Sequence, residues 1–291
     1  MIFPIILAVF IFESYMPLQN IAANSMLIEE GTFGSFEDAK RIYVDYQQRI
    51  FVTDVHTHQV IIFTGPQAEP QLIGGYGWSA TSFDTPTGIA ADGLNVYISD
   101  YGNRRIQRYD RTLNFISTWF LAGNNDDTKN CGYPQGVALS NSGEFFVLDG
   151  ENNKIFKYTS DGSFDRTFGD IDAAEGKLQK PLKLLISDPQ QIFVLEPDRL
   201  CVYDVYGNFV QEIGKDILHQ ACGFCITPDK IWAVSPDTLY CFSLDGREST
   251  VMPAKNIISE APIQNLRDIG CSENFIYLLT NKAVHRIRIS R

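Results

Sequence analysis

The 291 residues carry a formal charge of −11, with 24 Lys and Arg against 35 Asp and Glu and no basic block, which disfavours general nucleic-acid binding. At 44% hydrophobic and 20% charged, the chain can bury a sizeable core and is not a disordered polypeptide. An aromatic share of 12% favours strands, and the length suits two ordinary domains or one large all-β domain.

Residues 2–12 form an unbroken apolar run that ends at Glu13. Such a run is too short for a membrane-spanning helix, which needs roughly 20 residues. It fits the apolar stretch of a secretory signal, with the small residues Ile21-Ala22-Ala23 following as a cleavage site. No Lys or Arg precedes Lys40, so the positive flank of such a signal is missing apart from the terminal amine. The expectation is export to a periplasmic or extracellular space. Residues 1–23 are then a signal peptide or N-terminal extension, and residues 24–291 form the folded domain.

From there the chain is one unit repeated six times. Ile50-Phe51-Val52, Val96-Tyr97-Ile98, Phe145-Phe146-Val147, Ile192-Phe193-Val194, Ile231-Trp232-Ala233 and Ile276-Tyr277-Leu278 each place an aromatic between apolar neighbours. Two residues on stand Asp54, Asp100, Asp149, Glu196, Ser235 and Thr280. A turn and a second run follow, ending at Phe63, Tyr109, Tyr158, Tyr203, Phe242 and Ile287, spaced 46, 49, 45, 39 and 45 apart. Runs such as Gly136-Val137-Ala138 precede each unit, and alternating runs such as Phe115-Ile116-Ser117-Thr118-Trp119 follow it. Period-two alternation broken by Gly, Asn and Asp is the signal of strands and turns. Four antiparallel strands per roughly 45 residues make a propeller blade. The predicted fold is all-β, a six-bladed β-propeller of four-stranded antiparallel blades.

The sixth unit ends after its third strand, and residues 26–33 resemble the strand it lacks. The N-terminal segment is therefore expected to complete the last blade and close the ring, removing two free edges.

Several segments are candidates for function. The loop at 64–85 is long and carries Tyr76, Trp78 and Phe83 among Gly, Ser and Thr, which suits interface anchors or a plug over the channel. Just before the inner strands, at the channel mouth, stand Arg41, Gly88, Gly136, Lys183, Gly223 and Arg267 or Asp268. Glycines there are expected to leave the mouth open, and Arg41, Lys183 and Arg267 would focus positive potential on an anionic ligand or a partner's carboxylate. The four histidines His56, His58, His219 and His285 do not fall at equivalent channel-facing positions, so no His-based metal site is expected. Asn124-Asn125-Asp126-Asp127 and Asp170, Asp172 and Glu175 offer oxygens but match no full calcium loop. Cys222 and Cys225 lie two residues apart with Ile226 next, which excludes c-type haem attachment and leaves small core residues as the expectation.

The run Pro86-Thr87-Gly88-Ile89-Ala90, Val96-Tyr97-Ile98-Ser99-Asp100, Asn103-Arg104-Arg105-Ile106-Gln107 resembles an NHL repeat, as does Pro134 through Asp149, Asn152 and Ile155. Unit one has Thr57 in place of the Asn, and units four to six depart from the motif. The resemblance implies a six-bladed propeller. It also implies an alternative activity, because similar enzymes include amidating lyases and lactonase-like hydrolases with a metal on the channel axis. The leading expectation is a non-enzymatic protein-interaction module, an exported scaffold or accessory subunit that uses its loop-bearing face. Peripheral association with a membrane complex is compatible with it, and no nucleic acid or cofactor is expected. The alternative is a metal-dependent lyase or hydrolase, with calcium or zinc at the channel mouth.

Overall fold

The computed structural model describes residues 27–121, 129–173, 175–187 and 190–289. The expected signal at 1–23 and the acidic stretch 124–127 lie outside these residues. Among them twenty-four strands form six four-stranded antiparallel sheets.

The first strand is β1 (Leu27–Phe33). Blade one follows as β2 (Ala39–Val44), β3 (Ile50–Asp54), β4 (Gln59–Phe63) and β5 (Gln71–Gly74). Blade two is β6 (Pro86–Ala91), β7 (Asn95–Asp100), β8 (Arg105–Asp110) and β9 (Phe115–Phe120). Blade three is β10 (Pro134–Leu139), β11 (Phe145–Asp149), β12 (Lys154–Tyr158) and β13 (Phe164–Phe168). Blade four is β14 (Lys183–Ser187), β15 (Gln191–Leu195), β16 (Leu200–Asp204) and β17 (Phe209–Ile213). Blade five is β18 (Gly223–Ile226), β19 (Lys230–Ser235), β20 (Thr238–Ser243) and β21 (Ser249–Pro253). Blade six holds β22 (Leu266–Cys271), β23 (Phe275–Thr280) and β24 (Val284–Ile289).

The first strand of each blade touches the first strands of both neighbouring blades, so these six strands line a central axis. Second strands are buried on both faces, as their all-apolar runs require, whereas in outer strands such as β9 every residue is exposed or half-buried. The core is accordingly a set of layers between blades. Phe51, Val60 and Ile62 of blade one, for example, pack on Phe83, Ile89, Val96, Ile98 and Tyr109 of the next.

The ring closes as the sequence predicts. β1 pairs antiparallel with β24, from Leu27 opposite Ile289 to Phe33 opposite Val284, and becomes the outer strand of blade six. Leu27 is buried in the layer between blades five and six with Leu266, Ile276 and Ile287. Backbone bonds from Glu29 to Ile258 and from Ile258 to Leu27 (2.9 and 3.0 Å) tie this strand to the loop before blade six.

Candidate functional site

The strand geometry gives the molecule two unlike faces. The loops joining one blade to the next and the turns between second and third strands share one face, here the loop face. The repeat carboxylates organise it. Asp100, at the end of β7, accepts the Asp84 N–H of the incoming loop at 2.7 Å, the Asn103 amide at 2.8 Å and the Arg105 Nε–H at 2.7 Å. Asp54 accepts from Glu37 N–H at 2.7 Å and His56 N–H at 3.0 Å; Asp149 accepts from Gly132 N–H at 2.7 Å and the Asn152 amide at 2.8 Å. In blade four Glu196 takes the same place, accepting from Gln179 and Lys180 N–H (each 2.5 Å) and pairing with Arg199 at 2.8 Å. Each carboxylate thus locks its own turn and captures the loop arriving from the previous blade.

Arg105 extends this lock into the aromatic loop. Its guanidinium, anchored by Asp100, donates to the carbonyls of Trp78 (3.1 Å), Ser79 (2.9 Å) and Ser82 (2.8 Å). Gln107 donates to Ser82 O at 2.6 Å, and Asn103 to Gly77 O at 2.9 Å. The backbone is therefore held from beneath while Tyr76 and Trp78 stand 71% and 69% exposed. The third aromatic behaves differently: Phe83 is 0% exposed, inside the layer between blades one and two. The stretch read from sequence as one loop contains β5, so the free connection is 75–85. Beside it Tyr101 and Tyr133 lie 5.0 Å apart, ring to ring, with the Arg104 guanidinium 4.3 Å over Tyr133.

The axis is the second candidate. Lys183, on β14, bonds both oxygens of Asp268 on β22 at 2.7 and 2.8 Å. Asp268 also accepts Ile42 N–H at 3.0 Å and Ile269 N–H at 2.9 Å, so three inner strands share one buried carboxylate. Arg41 reaches across the ring to the carbonyls of Cys222 (3.0 Å) and Leu182 (2.8 Å). The glycines do not widen the axis. A Cβ on Gly88 would lie 2.6 Å from Gly136 Cα, and one on Gly223 would lie 2.2 Å from Asp268 Oδ1. Their role is to let neighbouring inner strands close up.

Two compartments result. Between Arg41, Thr87, Gly88, Gln135 and Lys183 there is about 20 Å³, room for roughly one water. Towards the opposite face a second compartment of about 190 Å³ is lined by Tyr43, Leu185, Cys225, Ile226 and Cys271. Burial raises Tyr43 to about 12 and Cys222 to about 11, so neither ionises near neutrality. Arg267 sits apart from the axial pair, 3.6 Å from Asp38 with both side chains 44% exposed.

The histidines are scattered. His58 Nδ1 accepts Thr85 N–H at 2.9 Å and its ring lies 4.9 Å from Tyr76; His285 Nδ1 lies 2.7 Å from Glu29 Oε1 on the closing strand. Among the described residues no group of three or more His, Cys, Asp and Glu side chains converges as a metal site. All six cysteines are unpaired. Among the described residues no helix is long and apolar enough to cross a membrane.

The sequence points to Arg41, Lys183 and Asp268 but not to the Lys183–Asp268 pair or to Arg41's reach to Cys222 and Leu182, and it does not single out Lys40. Arg105 lay in view as the cation five residues after the repeat aspartate, without its role being legible.

Comparison with known proteins agrees with this architecture. Residues 132–158, which span β10 to β12, match the model of the NHL repeat. "Protein brain tumor" of Drosophila melanogaster is 29% identical over 146 residues, 48% of this chain and 13% of that protein. Peptidyl-alpha-hydroxyglycine alpha-amidating lyase 2, also of Drosophila melanogaster, is 29% identical over 135 residues, 44% of this chain and 30% of its own. The matches thus span less than a third of either relative's length. Among solved structures, virginiamycin B lyase from Staphylococcus aureus superposes with a TM-score of 0.63 at 10% identity, over 92% of this chain and 100% of that one. A protein of unknown function from Bacteroides thetaiotaomicron reaches 0.65 at 12% identity, over 92% and 76%. At such identities the likeness is one of fold.

Proposed function

We propose that this propeller is a non-enzymatic protein-interaction module, an exported scaffold or accessory subunit that engages its partner through the loop face. One observation carries the reading: Tyr76 and Trp78 are exposed on a backbone whose carbonyls are held by the buried Arg105. Exposed aromatics on a loop fixed in advance lose little freedom on binding, which is the property of an interface anchor. Tyr101, Arg104 and Tyr133 widen the patch with the residue types that dominate binding energies at interfaces.

The lyases among the similar proteins supply the rival reading, catalysis in the channel. Arg41 and the Lys183–Asp268 pair span the axis and leave about 20 Å³ beside them, which favours the interaction reading. The apolar run at 2–12 motivates the exported setting.

The test is site-specific photocrosslinking in the native cell. A crosslinker at Trp78 should capture one discrete protein, and a crosslinker at Leu94, exposed on the opposite face, should not. Equal capture from both positions, or none from Trp78, would reject the loop face as the interface.

A further inference from the structure

Four inner strands, β2, β6, β10 and β22, slip their register at the same level of the ring, and on two neighbouring ones the residue left out is a cation. On β2, Ala39 pairs with Asp54 and Arg41 with Thr53, so Lys40 is skipped. On the adjacent β22, Leu266 pairs with Thr280 and Asp268 with Leu279, so Arg267 is skipped. A bulge leaves its extra residue outside the ladder and re-aims the side chain. Here both extra residues are cations, on neighbouring strands, beside Arg41 at the loop-face mouth of the channel.

The cations exceed the acids that could neutralise them. Lys183 is matched by Asp268, and among the described residues Arg41 is bound only to neutral carbonyls. Arg267 has Asp38 at 3.6 Å, a long and exposed pair of the kind that contributes little. The Lys40 ammonium has no hydrogen bond or ion pair among the described residues. Burial first, then the charges of Arg41 and Arg267, hold its pKa below the ordinary value against the opposing charge of Asp38. An acidic protein has therefore concentrated unpaired positive charge at one end of its axis.

We propose that the mouth formed by Lys40, Arg41 and Arg267 is a binding site for a carboxylate group. Lys40 and Arg267 make the contacts, displacing Asp38, and Arg41 adds its field from beneath. The compartment below Arg41 admits roughly one water, so the anion stays at the rim and only a small planar head fits against it. A free dicarboxylate and an Asp or Glu side chain of a partner share this chemistry.

Isothermal titration of the full chain with succinate, with a hexaglutamate peptide and with neutral succinamide distinguishes these sources. Binding of succinate, with none of succinamide, identifies a small-molecule site. Binding of the peptide without succinate identifies a partner's side chain. In either case Lys40→Gln with Arg267→Gln should weaken the interaction about tenfold or more, while Lys40→Arg with Arg267→Lys should retain it. Thermal melts of each variant establish that the fold is intact. If neither anion binds, or the glutamine variant binds as well as the wild type, the proposal is overturned. Because the probes are small and defined, that failure leaves the loop-face reading standing, and loss of the Trp78 crosslink leaves this one standing.

Discussion

Lys183 and Asp268 meet across the propeller axis, blade four to blade six, with the ammonium 2.7 and 2.8 Å from the two carboxylate oxygens. Lys183 is 9% exposed and Asp268 is 0% exposed, so bulk water is a poor substitute for either partner. Removing one partner strands the other: Asp268→Leu or Lys183→Met alone should cost about 3–5 kcal/mol in urea denaturation. Lys183→Met with Asp268→Leu should recover part of that loss, since the apolar pair leaves no buried charge, although the Ile42 and Ile269 N–H groups lose their acceptor. Additive losses in the double variant would show that the two charges act independently.

The closing strand should behave as part of the fold and not as a tail. Leu27→Ala removes a buried side chain from the layer between blades five and six and should cost about 2–5 kcal/mol. Deleting residues 24–33 exposes β24 as a free edge, and cooperative unfolding should be lost. An unchanged, single sharp melt after deletion would contradict the closure.

Arg105 should set the rigidity of the aromatic loop. Arg105→Lys keeps the charge near Asp100 but lacks the fork that reaches three carbonyls. Amide exchange at Gly77, Ser82 and Phe83, whose N–H groups bond within the loop, should accelerate, with the blade strands unaffected. Uniform acceleration across blade two would instead mark Arg105 as a general core residue.

The turn after β8 predicts an acid response. The Asn114 side-chain amide first, then the Asn114 and Thr112 N–H groups and the Thr112 hydroxyl, hold Asp110 down at about 2, from an ordinary 3.8. A depressed carboxyl contributes stability that is fully present above 3.8 and is lost as pH falls towards 2. Asp110→Asn should remove that part of the pH dependence, so the stabilities of wild type and variant should converge as pH falls from 4 towards roughly 2. A carboxyl titration of Asp110 by NMR near the ordinary value would refute this.

The blades and their closure were legible because the signals are local. An aromatic between apolar residues and a turn repeat with the blade, with an acid two positions on in the first four. The strand missing from unit six was supplied by residues 27–33. The acids proved to be turn locks, as Asp-x-x-Asn spacing implies, and Glu196 extends the device with Arg199 where the motif has lapsed. The site contacts were not legible because they cross the ring. Lys183 finds Asp268 85 positions away, and Arg41 finds carbonyls 141 and 181 positions away. No pattern along the chain registers such pairs. Bulges are equally silent: no pattern along the chain marks Lys40 and Arg267 as the residues their strands leave outside the ladder. Phe83 and Trp78 lie in one loop, yet Phe83 is buried between blades one and two and Trp78 is exposed, a difference set by tertiary packing and not by local sequence.

The most direct measurement is affinity purification of the full chain from its native cell, with copurifying proteins quantified by mass spectrometry, for the wild type and for Tyr76→Ala with Trp78→Ala. The interaction reading predicts one protein at near-equal stoichiometry with the wild type and its loss with the double variant, whose melting temperature should be unchanged. A wild-type propeller that purifies alone, or a partner retained equally by the variant, would contradict it.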